Sequence, residues 1–251
     1  MQAFHYEALP GRVIFGAGSS RARLGAAVAA LGLERVLLVA TPRELPNARA
    51  LAAALGERVV GEFSDVRPHV PLVIAEAARA TARDLGADGL LAIGGGSTIG
   101  TAKAVALEQR LPIVAVPTTY AGSEMTPIYG LTSGQRKQTG RSLDVLPRLV
   151  VYDPELTLSL PPAISGPSAI NALAHCVEAF YAPGANPISA LAAEEGIRAL
   201  ARSLPTVVAQ PADLAARSDV LYGAYLAGAA LAVTGTGIHH KICHVLGGAF
   251  N

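Results

Sequence analysis

Two pairs of polar residues share one spacing. Asn171 and His175 stand four apart in NALAH, and His240 and His244 stand four apart in HKICH. Side chains at i and i+4 lie on one helix face, so each pair puts two polar groups on one wall within strongly apolar sequence. Two matched walls read as the two sides of one pocket. Imidazoles there can donate hydrogen bonds to a developing oxyanion or hand over a proton as general acid. A metal is a weaker expectation. A catalytic divalent site takes at least three protein ligands, often with a carboxylate among them, and Asn171 is a neutral, weak ligand. Glu178, three residues after His175, is the nearest carboxylate, and reads either as a ligand or as a solvated helix charge. A tight metal site is therefore not expected.

A second chemistry lies in the first half. Gly94, Gly95, Gly96, Ser97 and Thr98 follow the apolar run 88–93 and open a helical stretch, Ile99 to Leu107. A strand, a glycine turn and a helix start let backbone approach a ligand closely and aim free N–H groups at an anion. A nucleotide diphosphate is the expected guest, although neither GxGxxG nor GxxxxGK[ST] is present. The next apolar run, 112–116, leads into Pro117, Thr118, Thr119, Tyr120, Ala121, Gly122 and Ser123. Both loops would fall on the carboxyl edge of a parallel sheet, where open α/β folds bind ligands. The run before that ends at Thr41-Pro42-Arg43, with no carboxylate until Glu44. Thr41 would not repel a ribose 2′-phosphate and Arg43 could pair with one, so NADH and NADPH both stay open.

These loops need a frame. Apolar runs at 35–40, 58–60, 88–93 and 112–116 alternate with helical patterns at 47–55 and 71–86, which predicts right-handed βαβ crossovers and a parallel sheet. Asn47 is the expected N-cap of the first of those helices. In the second, Ile74, Ala77, Ala78, Thr81 and Leu85 are expected on one face. From Leu156 onward no strand is expected. Ala-rich helices at 188–203 and 212–232 take over, punctuated by Pro161, Pro162, Pro167, Pro183, Pro187, Pro205 and Pro211. The fold class is therefore an α/β Rossmann-like domain, residues 1–155, followed by an all-α domain, residues 156–251. Val220 to Ile238 is uncharged and long enough to span a bilayer. Its Ala, Gly and Thr content favours a buried soluble helix instead.

Composition narrows the class. The chain of 251 residues is 51% hydrophobic and 16% charged, which excludes disorder. A net charge of +1 without any basic cluster argues against nucleic acid. Cys176 and Cys243 offer no disulfide framework or zinc spacing. No cationic and apolar leader opens the chain, so the expected location is the cytoplasm, with no membrane partner.

The motifs GGGSTIGTAK at 94–103, PTTYAGSEMTPIYG at 117–130, LPRLVVYDPELT at 146–157, NALAHCVEA at 171–179 and HHKICHVLGGAFN at 239–251 resemble the iron-containing alcohol dehydrogenase family, and within it the maleylacetate-reducing branch. The resemblance runs from FHYEALPGRVIFGAG at 4–18 to the last residue. It implies a cytoplasmic homodimer that uses NADH or NADPH to reduce maleylacetate, a small dicarboxylate, to 3-oxoadipate in aromatic-compound breakdown. In metal-dependent relatives an Asp stands at the place of Asn171, with two further ligands at His175 and His240. His244 matches a family histidine near the nicotinamide, and a further ligand would follow Asn251. The implied roles are His240, His244 and His175 in catalysis; Tyr120, Asn171 and His175 toward substrate; and Gly94 to Thr98, Thr118, Thr119, Thr41, Ser123 and Lys137 toward the nucleotide. Arg141 beside Lys137 is a further candidate for an anionic group. Family members continue beyond the final motif, so the helical domain is expected to be incomplete. A metal-dependent alcohol dehydrogenase and a nucleotide-binding fragment without catalysis are the alternatives.

Overall fold

The computed structural model describes residues 3–134 and 136–250, with the backbone alone at 244, 245 and 247–250. Short, continuous Val, Leu and Ile runs form six parallel strands: β1 (Arg12–Phe15), β2 (Val36–Val39), β3 (Val59–Phe63), β4 (Gly89–Gly94), β5 (Ile113–Pro117) and, further along the chain, β8 (Leu149–Tyr152). The spatial order is β1-β8-β5-β4-β2-β3. Strands β2, β4, β5 and β8 are buried along their whole length, as expected of strands covered on both faces.

Helices α1 (Ser19–Ala29), α2 (Leu45–Ala52), α3 (Leu72–Asp84) and α4 (Gly96–Gln109) alternate with these strands. Alternate strand residues, Leu38, Leu91, Ile93, Val114 and Val151 among them, pack with Leu24, Val28 and Leu51 of α1 and α2. On another side Ala75 of α3 meets Ala104 of α4, Val70 and Leu131. An antiparallel hairpin, β6 (Ile128–Ser133) and β7 (Arg136–Arg141), follows β5. Chain direction reverses between β2 and β4: β2 connects outward to β3, and β4 connects the opposite way to β5. This switch point is the crevice in which such sheets bind ligands.

The remaining helices are α5 (Pro162–Glu178), α6 (Pro187–Ala209), α7 (Leu214–Thr234) and α8 (Ile238–Phe250). Asn186 caps α6, accepting from Ile188 N–H and Ser189 N–H, and Asp213 caps α7 through Ala216 N–H. Small residues let the backbones of α6 and α7 approach. A Cβ on Gly223 would lie 2.6 Å from Leu200 Cγ and 3.1 Å from Gly196 O, and one on Gly196 would lie 2.7 Å from Cys176 Sγ.

The chain forms two compact units. One comprises Gly11–Thr119 and Pro127–Thr157; the other takes the residues up to Pro10, Tyr120–Thr126 and the helices from Leu158 onward. Tyr120–Thr126 keeps company with the helices because its contacts are there. Tyr120 OH accepts from Arg217 of α7 at 3.0 Å, and a Cβ on Gly122, whose φ is +74, would lie 3.2 Å from Gly228 Cα.

Several expectations need correction. Strands β1 and β8 complete a sheet of which four strands were anticipated. Helix α2 starts at Leu45, with Pro46 in its first turn, so Asn47 lies inside it and caps nothing. The buried face of α3 is Ala75, Ala78, Arg79 and Ala82, one position round from the expected face, and Ala77 is exposed. The cause is Arg79, which turns inward to donate to Ala104 O at 3.0 Å and to pair with Glu108. Pro167 and Pro205 lie inside α5 and α6, where packing outweighs a penalty of about 3 kcal/mol. The uncharged stretch 220–238 is broken at Gly235, with φ +73, between α7 and α8. Among the described residues no helix is long and apolar enough to cross a membrane.

Candidate functional site

In the sheet unit, the end of β4 delivers the backbone to the start of α4. Gly94, at φ +153, has room for no side chain: a Cβ would strike Thr98 Oγ1 and lie 2.6 Å from Glu44 Oε2. Gly96 opens α4, and Thr98 is fully buried, its Oγ1 without a hydrogen-bond partner among the described residues. A helix start behind a glycine turn is the backbone arrangement an anion needs. Strand pairing sets Gly94 beside Pro117, and Thr118 N–H donates to Gly94 O at 3.1 Å. A Cβ on Gly95 would lie 3.0 Å from Thr119. The structure therefore brings Gly94, Gly95, Gly96, Thr98, Thr118 and Thr119 together, with Ser97 on the first turn of α4.

Thr41 joins them through a residue the sequence reading left without a role. Glu44 Oε2 accepts from Thr41 Oγ1 at 2.9 Å and Oε1 from Thr118 Oγ1 at 2.6 Å. This carboxylate thus sits across the ends of β2, β4 and β5, at the switch point. Arg43 beside it is exposed, and Lys137 and Arg141 are exposed on β7, on the hairpin rather than at the β4 end.

The helical unit holds the second constellation. Asn171 is exposed on α5; His175, Glu178 and His240 are buried. Asn171 Nδ2–H donates to His175 Nε2 at 3.1 Å, and Asn171 Oδ1 accepts from His240 Nε2 at 3.3 Å. The two rings stack, with centroids 4.2 Å apart and planes 12° from parallel. Glu178 accepts from His240 Nδ1 and, at 3.1 Å, from His240 N–H. His244 lies on the same helix, α8, but its side chain is outside the described residues. Ser123 begins a short turn in which its carbonyl accepts from Thr126 Oγ1 at 3.1 Å.

Tyr120 is a correction. It is fully buried, and its hydroxyl accepts from Arg217, which also donates to Ser165 Oγ at 2.8 Å and Leu160 O at 2.9 Å. Its part is to pin the loop to α5 and α7, not to meet substrate. Nothing in the sequence pattern separated Arg217 from an ordinary helix charge.

Burial above all, then the neighbouring His240, hold His175 down at about 3, with Glu178 opposing and His239 adding to the shift. His175 is therefore neutral in the folded chain at neutral pH, its Nδ1 buried without a partner among the described residues. The folded form takes up no proton until about pH 3, whereas the unfolded chain takes one below about 6.5. Stability from this residue is complete above pH 6.5 and is lost as pH falls toward 3, at up to about 1.4 kcal/mol per pH unit. Urea unfolding of wild type and His175→Gln at pH 7, 6, 5 and 4 checks this: the variant should show the shallower loss, and equal slopes would refute it.

The sequence falls into two matched regions. Residues 10–154 match the model of the iron-containing alcohol dehydrogenases, and residues 167–251 match the C-terminal model of the same family. The chain belongs to the iron-containing alcohol dehydrogenase family. Membership places it among the oxidoreductases. It is 54% identical to a maleylacetate reductase from Burkholderia cepacia, covering all of this chain and 71% of that one. The crystal structure of maleylacetate reductase from Agrobacterium tumefaciens superposes with a TM-score of 0.96 at 46% identity, over 99% of this chain and 71% of the other. A sulfoacetaldehyde reductase from Bifidobacterium kashiwanohense, solved in complex with NAD+, gives 0.92 at 26% identity, over 98% and 71%.

The family's name implies iron. The ligand atoms of His175, Glu178 and His240 lie within 4.8 Å of one another. Both Nε2 atoms, however, are engaged by the Asn171 amide. Glu178 is occupied by His240, and an amide replaces the carboxylate a divalent ion favours. As arranged, these residues do not fit a resident metal.

Proposed function

We propose that this chain reduces the conjugated carbon–carbon double bond of maleylacetate to give 3-oxoadipate, with NADH or NADPH and without a metal ion. The observation that carries this reading is the array Asn171, His175, His240 and Glu178, a run of hydrogen-bonding groups with an amide where a metal site would carry a carboxylate. The maleylacetate reductases among its relatives support the substrate. Bound NAD(P)H supplies a hydride to the double bond of the enone. The enolate that develops needs donors, and the exposed Asn171 amide and His240 Nε2–H are the groups to provide them. The proton that completes the reduction passes from His240 Nε2 to the substrate carbon, and the ring keeps its Nδ1 proton on Glu178. The nucleotide phosphates are assigned to Gly94–Thr98 with Thr118 and Thr119. The expected cytoplasmic location and homodimer remain proposals; exposed Ile164, Ile170 and Val177 on α5 support self-association.

Turnover of maleylacetate with either nucleotide, before and after chelation, tests the reading. Activity that survives chelation is expected. The rival reading, a metal-dependent alcohol dehydrogenase, rests on the closeness of the three ligand groups. Stoichiometric iron or zinc with chelator-sensitive turnover would establish it.

Glu44 bears on nucleotide choice. A carboxylate bonded to Thr41 and Thr118 at the switch point repels a 2′-phosphate and suits a ribose hydroxyl. Glu44→Gln should raise the NADPH:NADH ratio of kcat/KM roughly tenfold, a Coulomb effect of ~1.4 kcal/mol in a half-screened setting. An unchanged ratio, with NADPH use lost in Arg43→Ala, would transfer the role to Arg43.

A further inference from the structure

Glu178 is the last residue of α5 and is 1% exposed. Its carboxylate accepts from the backbone N–H of His240 at 3.1 Å, from the backbone N–H of Gly237 and from the ring Nδ1 of His240. Gly237 is placed so closely that a Cβ there would lie 2.9 Å from Glu178 Oε1. Helix α8 begins at Ile238. The carboxylate therefore serves the first turn of α8 as a cap delivered from another helix, satisfying N–H groups that no intrahelical partner reaches and placing negative charge at the positive end of the dipole. The same two oxygens also hold the histidine ring of that turn.

We infer that Glu178 is a positioning residue that holds the His240 ring through its Nδ1–H and turns its Nε2–H toward Asn171, so that Nε2 is the nitrogen that gives the proton and Nδ1 keeps its own. This rests on the reading of His240 as proton donor. Three features carry it. An imidazole with Nδ1–H on a carboxylate has its tautomer and ring rotation fixed. The other nitrogen meets Asn171 Oδ1, the exposed end of the array. One carboxylate holds both the backbone and the ring of His240, so ring orientation and helix start are fixed by the same group. Burial alone would push the Glu178 carboxyl up, but the hydrogen bonds from His240 and Gly237 outweigh it and hold it below the usual carboxylate range, so the acceptor stays ionised.

Glu178→Gln separates the two duties. The amide oxygen still accepts the backbone N–H groups and keeps the cap. The amide NH₂ donates to Nδ1, which can then carry no proton, and leaves a neutral ring with Nε2–H alone. Nitrogen-15 spectra of the His240 ring report the tautomer, and steady-state kinetics with maleylacetate report its consequence. The expected result is a proton on Nδ1 in wild type and none on Nδ1 in the variant, whose neutral ring is the weaker acid, with kcat lowered about 10- to 100-fold and KM for the nucleotide unchanged. Glu178→Asp, which keeps the charge, should recover part of kcat. A wild-type ring with no proton on Nδ1, or a folded Glu178→Gln enzyme within threefold of wild-type kcat, would overturn the inference. The wild-type spectrum decides even where variants do not fold. A wild-type proton on Nδ1 with no turnover of maleylacetate would instead remove the proposed function and leave the positioning intact.

Discussion

His240→Ala should lower turnover by roughly 10²–10⁴-fold, the usual yield of a positioned general acid, while NADH and NADPH bind as in wild type. The expectation follows from where the residue stands. His240 is 8% exposed, stacked on His175, tied to Glu178 through Nδ1 and to Asn171 through Nε2. Removing the ring takes away the proton and the group that links Glu178 to Asn171. The groups proposed for the nucleotide, Gly94–Thr98 and Thr118, belong to the sheet unit, so nucleotide affinity should not move. Fluorescence titration with NADH and steady-state kinetics separate the two effects, and thermal unfolding guards against a loss through misfolding. Turnover within a few-fold of wild type would take His240 out of the chemistry.

Gly94→Ala should act on the other half of the reaction. At φ +153 an alanine is strained, and its methyl would strike Thr98 Oγ1 and lie 2.6 Å from Glu44 Oε2. Two costs combine: a backbone held in a region costing about 1–3 kcal/mol for a side-chain-bearing residue, and displacement of Thr98 and Glu44. Nucleotide affinity should fall roughly 10- to 100-fold, with the nitrogen-15 spectrum of the His240 ring unchanged. Isothermal titration with NADH measures the first; normal affinity in the folded variant would show that the β4 end is not the phosphate site.

Much of the sheet was legible because its central strands are continuous apolar runs of the length a doubly covered strand requires. Strands β1 and β8 were not. Each is only four residues long, and they pair mainly through partners more than a hundred residues apart, Arg12 with Leu149, a relation local pattern does not carry. The Asn171, His175 and His240 cluster was visible as helical spacing. Glu178 was ambiguous for a physical reason: whether a glutamate three residues after a histidine faces water or a partner depends on where α8 lies, 62 residues on. Glu44 and Tyr120 failed for the same reason in opposite directions. A charge in a loop after β2 turned out to bridge two threonines, and a loop tyrosine turned out to be a buried anchor for Arg217.

The close approach of α6 and α7 at Gly196 and Gly223 has a consequence for how this sequence can diverge. Hydrogen is the only substituent both positions admit, and each neighbour is backbone or an already seated side chain. Drift there is one-directional: atoms can be removed from Leu200 or Cys176, but none added at the glycines until such a loss has come first. Outward positions on the same helices carry no such ordering. A mutant library spread evenly over the helical unit should therefore return survivors in abundance from the outer faces, and from the seam only as compensated pairs.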